Sequence, residues 1–256
     1  MRTAAGKPWP YAHGGSLSRR DRLRLLGQVV ASQLARIPHK LRLRLGVEDQ
    51  ASSRVDIGAI VVPDSAFALR TILHAKSLSP AWLFDHCQRT YFWGAAIAQA
   101  RRIRHDAELL FAASLLHDLG LTEPHRYQDT SCACFAVEGA RAAYQFACSN
   151  GCEGERADRI ADAISLHLDV RVGLRHGAEN HLLHAGAALD VVGRGLPLIG
   201  RPAVREVLNR YPRGEFKQRM VEEMQNEATR RPDSRTSFLI RLGFIDMIQS
   251  APFTDS

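Results

Sequence analysis

No stretch of the 256-residue sequence approaches the ~18 consecutive apolar residues that would span a membrane. Alternation of apolar and polar residues is nowhere long enough to build a sheet, so an all-β or α/β chain is set aside. Cysteine is sparse: five residues, at positions 87, 132, 134, 148 and 152, an odd number with no secretory apolar segment ahead of them. The spacings Cys132-Ala-Cys134 and Cys148-x-x-x-Cys152 are not those of zinc ribbons, so neither a disulfide scaffold nor a zinc–thiolate site is expected. Reduced thiols in a cytoplasmic protein are the expectation. Beyond residue 50 net charge is lacking as well. Residues 1–50 carry ten Lys/Arg against three Asp/Glu, leaving 24 of each sign for the remainder, so the formal +7 belongs to the N-terminal segment. A nucleic-acid-binding body would carry its positive charge on the fold itself, and no nucleic-acid partner is expected.

What is present is helix after helix. Residues 1–59 are read as a basic N-terminal extension and residues 60–256 as a helical domain large enough for a substantial core. Within the extension, Leu23, Leu26, Val30, Leu34 and Ile37 recur every three or four residues, and Arg19, Arg20, Arg22, Arg24 and Arg36 cover the rest. A twin-arginine export signal is ruled against by Gln28, Ser32 and Gln33, which interrupt the apolar stretch. The pattern predicts an accessory amphipathic helix, with at most a weak contact between residues 16–45 and an anionic membrane surface and no stable insertion. Ser79-Pro80 predicts a helix start, with Ser79 as N-cap, for a helix from Ala81 to about Ile103. Further helices are expected from about Cys132 to Asn150, Glu155 to Leu168, Asn180 to Val192, Pro202 to Arg210, Glu215 to Arg230 and Phe238 to Ile248.

The stretch Glu108-Leu-Leu-Phe-Ala-Ala-Ser-Leu-Leu-His117-Asp118-Leu-Gly120 stands apart. From Leu109 to Leu116 all but Ser114 are apolar, which describes a helix buried on most faces. Asp106 is its expected N-cap and Gly120 its stop. Burying a charge costs several kcal/mol unless it is paired or bound to a metal, so an imidazole and a carboxylate at the end of such a rod need a purpose. Adjacent helical residues point about 100° apart, close enough for His117 and Asp118 to reach one ion. Three further polar residues end or interrupt apolar stripes on other helices: His86 in line with Leu83, Thr90, Gly94 and Ile97; His167 after Ile160 and Ile164; and Asp190 after Leu183, Gly186 and Ala187. Imidazole combined with carboxylate suits zinc, iron, manganese or nickel, and such an ion makes water a nucleophile without a catalytic serine or cysteine.

The order His86, His117-Asp118, Asp190 on successive helices resembles the HD superfamily of metal-dependent hydrolases, and within it the cyanamide hydratase-like proteins. Supporting stretches are Val62-Pro-Asp-Ser65, Asp85-His86-x-x-Arg89-Thr-Tyr91, the Glu108–Gly120 run, Phe135-Ala-Val-Glu138-Gly-Ala140, Ala163-Ile-x-Leu-His167, Gly186-Ala-x-Leu-Asp190-Val-Val-Gly193 and Tyr211-Pro-Arg213. The resemblance implies an all-α HD-domain bundle around a single divalent ion, zinc first and iron or manganese as alternatives, held by His86, His117, Asp118 and Asp190. It implies water addition to a small nitrile-like substrate. His167 is the candidate for binding substrate or moving protons, because an ordinary histidine pKa suits the task, and Arg89 for orienting carboxylates or substrate. Asp85 and Cys87 stand where asparagine and serine are expected, and Phe-Ala-Val-Glu138 where Phe-Glu-Val-Asp is. Two other readings stay open: an HD phosphohydrolase using Arg89 or Arg171 for its anion, and a non-catalytic helical interaction module. A homo-oligomer is compatible with the sequence.

Overall fold

The computed structural model describes residues 17–19, 22–23, 25–27, 54–126, 134–152 and 154–253. Among them ten α-helices run from Ala66 to Gln249, with three 3-10 turns and no strand, so the fold is all-α as expected. Helix α1 (Ala66–Leu78) starts at Ser65, whose Oγ accepts the Ala68 N–H at 3.0 Å. Helix α2 (Ala81–Arg101) begins one residue later than the Ser-Pro signal suggests. Pro80 itself occupies the N-cap, extended at ψ 155°, while Ser79 closes α1 by donating its N–H to Ala75 O. Proline is tolerated there because its missing N–H has no intrahelical partner to lose.

Helix α3 (Ala107–Leu116) is the central rod. Asp106 caps it by accepting the Leu109 N–H at 3.0 Å, and every residue from Leu109 to Leu116 is buried, Ser114 included. It touches α1, α2, α5 (Gly154–Leu166) and α6 (Ala178–Val192), and passes directly into a 3-10 turn at Leu119–Leu121. Helix α4 (Phe135–Ser149) packs on α5 and on that turn. Gly120 does not act as a left-handed stop. A Cβ there would lie 2.0 Å from Phe135 O, so glycine is required for the close approach of α4.

Helices α7 (Arg201–Arg210), α8 (Phe216–Arg230), α9 (Arg235–Arg241) and α10 (Phe244–Gln249) complete the chain. The single last helix expected over Phe238–Ile248 is divided in two by Gly243, whose φ of 88° no right-handed helix accommodates. Helices α8 to α10 pack on one another, and α10 also reaches α6.

The broadest contact joins α2 and α6. Gly94 and Gly186 permit it: a Cβ on Gly186 would stand 2.4 Å from Thr90 O, and one on Gly94 3.1 Å from Leu182 O. Gly186→Ala is therefore expected to destabilise the protein by about 2 kcal/mol, since overpacking a tight contact forces backbone shifts. Urea unfolding of the two proteins checks it; an unshifted midpoint would show that the helices separate freely.

Residues 54–62 are fastened to α2. Asp56 N–H donates to Gln99 Oε1 at 2.9 Å, Gln99 Nε2 donates to Asp56 O at 3.0 Å, and Ile57 enters the core. Of the accessory helix expected over residues 16–45, the described part pairs Arg22 with Asp233 at 3.1 Å and buries Leu25. Leu23 and Leu26, the two described residues of that stripe, are exposed and not turned onto the body. Val30, Leu34 and Ile37 lie outside the described residues.

Candidate metal centre

Helix α2 carries His86 inward, fully buried, on the face shared by Leu83, Thr90 and Gly94. His117 closes α3, and Asp118 follows at φ −105°, ψ 17°, where the α-helix tightens into the 3-10 turn. That change of winding brings neighbouring side chains into one space. His86 Nε2 and His117 Nε2 lie 3.2 Å apart, and Asp118 Oδ2 stands 3.4 Å from the first and 3.2 Å from the second.

The opposite ring nitrogens settle which protons these groups carry. His86 Nδ1 lies 2.7 Å from Asp190 Oδ2 and His117 Nδ1 2.7 Å from Ser114 O. Carboxylate and carbonyl oxygens only accept, so each imidazole donates from Nδ1, and in the neutral ring its Nε2 is a lone pair. Two lone pairs and a carboxylate oxygen thus converge without a donor among them, an arrangement that calls for a positive charge. Burial opposes charge on His117, but Asp118 and the nearby Cys87 outweigh it and raise its pKa well above 6.5. Burial likewise opposes charge on Asp118, and His117 and His86 overcome it, holding the carboxyl well below 3.8. A proton meets the demand, and so does a metal ion. His86, His117 and Asp118 place their ligand atoms within 4.8 Å of one another and fit a divalent transition ion by number and chemistry.

Asp190 stands behind His86 and not beside the converging atoms. Its oxygens take the His86 Nδ1 proton, both Arg89 Nε (2.9 Å) and Arg89 Nη2 (3.0 Å), Trp93 Nε1 (2.8 Å) and Arg213 Nη1 (3.1 Å). Despite full burial, Arg89, Arg213 and His86 hold its carboxyl well below the usual range. A carboxylate behind an imidazole in this way would fix the tautomer of a histidine that binds a metal. Arg89 is fully buried and also donates to Pro212 O at 2.8 Å. It orients the Asp190 carboxylate and takes no part in the cavity wall. Phe216, the first residue of α8, stacks on the His86 ring at 4.8 Å and lies under the Arg89 and Arg213 guanidinium groups.

His167 sits just past the end of α5. Its Nδ1 donates to Ile164 O at 2.5 Å, and its Nε2 lies 3.6 Å from Asp118 Oδ1, the oxygen not facing His86. Burial, then the positive character of His117, pushes its pKa down to about 3. The ordinary histidine pKa expected from sequence does not apply; His167 is a neutral ring presenting an acceptor. His184 supports it from α6, donating from Nδ1 to His167 O at 3.0 Å. Asp85 lines a different surface groove with Pro80 and Pro212, and Cys87 is a buried thiol whose pKa burial raises.

The cluster opens into a cavity of about 130 Å³ bounded by His86, His117, Asp118 and His167 at one end and aliphatic side chains elsewhere, among them Ala187, Val191 and Val192. Sequence reasoning missed Trp93, Arg213, Phe216 and His184. For Phe216 a signal existed: with Met220 and Met224 it repeats every fourth residue on a helix read as merely charged.

An all-helical bundle that gathers two bare imidazole nitrogens and a carboxylate at its centre has the architecture of a metal-dependent hydrolase. The chain belongs to the HD domain family, which matches residues 83–212. The matched segment holds His86, His117, Asp118, His167 and Asp190, whereas α1 and α8 to α10 fall outside it. Comparison with curated proteins gives no match. No helix among the described residues is long and apolar enough to cross a membrane.

Proposed function

We propose that the protein adds water to a small uncharged substrate of nitrile type, with a divalent ion, zinc in the first instance, held by His86, His117 and Asp118. When bound, the ion supplies an acidified water and polarises the substrate. Three protein ligands are the number that catalytic sites use while keeping a position open. The charge of Asp190 is matched by Arg89 and Arg213, so Asp118 is the carboxylate that offsets the ion. His167 Nε2, an acceptor 3.6 Å from the second Asp118 oxygen, would take a hydrogen bond from the attacking water and hold its orientation. In the net reaction the oxygen of water joins the nitrile carbon and its two protons end on nitrogen, giving an amide with no leaving group.

The observation that carries the reading is the lining of the cavity. Among the described residues, the one arginine or lysine in it is Arg194, which is exposed and donates to Val170 O at 3.0 Å. Phosphoryl transfer needs positive charge against the equatorial oxygens. Arg89 is engaged on Asp190, and Arg171 is exposed and absent from the wall. Zinc-loaded protein should therefore turn over cyanamide or simple nitriles, with EDTA removing the activity. Turnover confined to p-nitrophenyl phosphate or nucleoside monophosphates would overturn the proposal.

A further inference from the structure

We infer that the substrate carries an apolar group about the size of one ring beside the reacting carbon, and that helices α8 to α10 select it. The inference rests on the hydratase reading above. Beyond the polar end formed by the histidines and Asp118, the cavity is walled by Met220, Met224, Leu239, Leu242, Phe244 and Met247. All six belong to the segment after residue 212, outside the family match. The shared HD core thus supplies the chemistry, while this chain's own C-terminal helices shape what enters.

Size and composition then narrow the class. An apolar cavity of about 150 Å³ accepts benzene, so the space of about 130 Å³ here, open on one side, is on the scale of one phenyl or branched alkyl group. A bare cyanamide or acetonitrile would leave this wall without contacts, and dispersion against it would be forfeited. Met220 and Met224 are almost fully buried, whereas Leu242, Phe244 and Met247 are half-buried. The wall is therefore sealed from solvent on the Met220 and Met224 side and partly exposed on the other, and unbranched methionine adapts to the outline of an aryl or alkyl group. Asp169, the second acid in the lining besides Asp118, is paired with Arg235 at 2.5 Å and does not turn the pocket toward cationic groups.

The test uses the zinc-loaded full chain and two readouts. Rates are compared for acetonitrile, benzonitrile and 4-biphenylcarbonitrile. Binding of the amides acetamide and benzamide is measured by calorimetry, which needs no turnover. Benzonitrile is expected to exceed acetonitrile by about 100-fold in kcat/KM, with benzamide preferred over acetamide by a similar factor, and biphenyl to be rejected. Met247→Trp, at the half-buried mouth, should weaken benzamide at least about tenfold with its zinc content retained, because filling the space removes the site for the ring. Met247→Ala, the converse change, should admit the biphenyl compound. Equal handling of methyl and phenyl compounds in rate and in binding would overturn this inference while leaving nitrile hydration intact. Selective benzamide binding that Met247→Trp abolishes, without turnover of any nitrile, would uphold the pocket and remove the proposed reaction instead.

Discussion

Asp118→Asn is expected to strip the protein of its ion and to lower activity on the order of 10³-fold or more, the scale lost when the group that activates the nucleophile goes. The change is nearly isosteric, so the joint between α3 and the 3-10 turn survives. What disappears is the negative charge that Oδ2 brings to within 3.4 Å of both Nε2 atoms. Elemental analysis should find about one zinc, iron or manganese per chain in the wild type and almost none in the variant, with the metal-free proteins melting within a few degrees of each other. Asp190→Asn makes the informative contrast. Were Asp190 a direct ligand, its variant would match Asp118→Asn. As the group that holds His86 from behind, it should weaken metal affinity only about 10- to 100-fold, the usual effect of removing a hydrogen-bond partner of a ligand. Equal and complete metal loss in both variants would restore Asp190 to the ligand set. A wild type that holds no transition metal under any loading condition would remove the hydrolase reading altogether.

How far the sequence revealed this site follows from what periodicity can and cannot encode. The buried rod Leu109–Leu116, its Asp106 cap and the inward stripe of His86 were legible because an all-apolar run and a 3.6-residue repeat are local signals. Gly94 stood in the stripe with His86, but no local pattern says that Gly186 supplies the other half of a close contact. The role of Asp190 was not legible. An aspartate among valines and leucines asks for compensation, and metal coordination and a buried arginine both provide it. The placement of Arg89, one turn beyond His86 and paired with the Asp190 carboxylate, supports the second, and the metal content of Asp190→Asn decides between them. Arg213 follows a Tyr-Pro turn and donates to both the backbone and the side chain of Asp190, a contact across 23 residues that no local pattern reports. His167 shows the same limit in its electrostatics. Its position at the end of an apolar stripe was visible, but its pKa depends on burial and on the neighbouring His117, both products of tertiary packing.

The second large effect concerns the same buried ion pair, read through stability. Arg89→Met should cost about 3–5 kcal/mol, because it removes a fully buried partner and leaves Asp190 under-compensated in the core. Three losses combine: the two-pronged contact with the Asp190 carboxylate, the hydrogen bonds to the Tyr211 and Pro212 carbonyls, and the guanidinium placed 5.0 Å from the Phe216 ring centre. Arg89→Lys should recover only part, since an ammonium reproduces the charge but not the planar fork that meets both oxygens. The assignment is tested by a double-mutant cycle with Asp190→Asn. If the arginine acts mainly by balancing that carboxylate, neutralising Asp190 in the Arg89→Met background should restore at least about 2 kcal/mol, within the range seen for residues of one charged network. Strict additivity would show that Arg89 stabilises the fold by packing on Phe216 and bracing the chain at residues 211–212. In that case the tautomer of His86 would owe nothing to it, and metal affinity in Arg89→Met would equal that of the wild type. Coupling in stability together with weakened metal binding is the combination the buried geometry requires, because the hydrogen bonds that satisfy Asp190 are also those that aim its Oδ2 at His86 Nδ1.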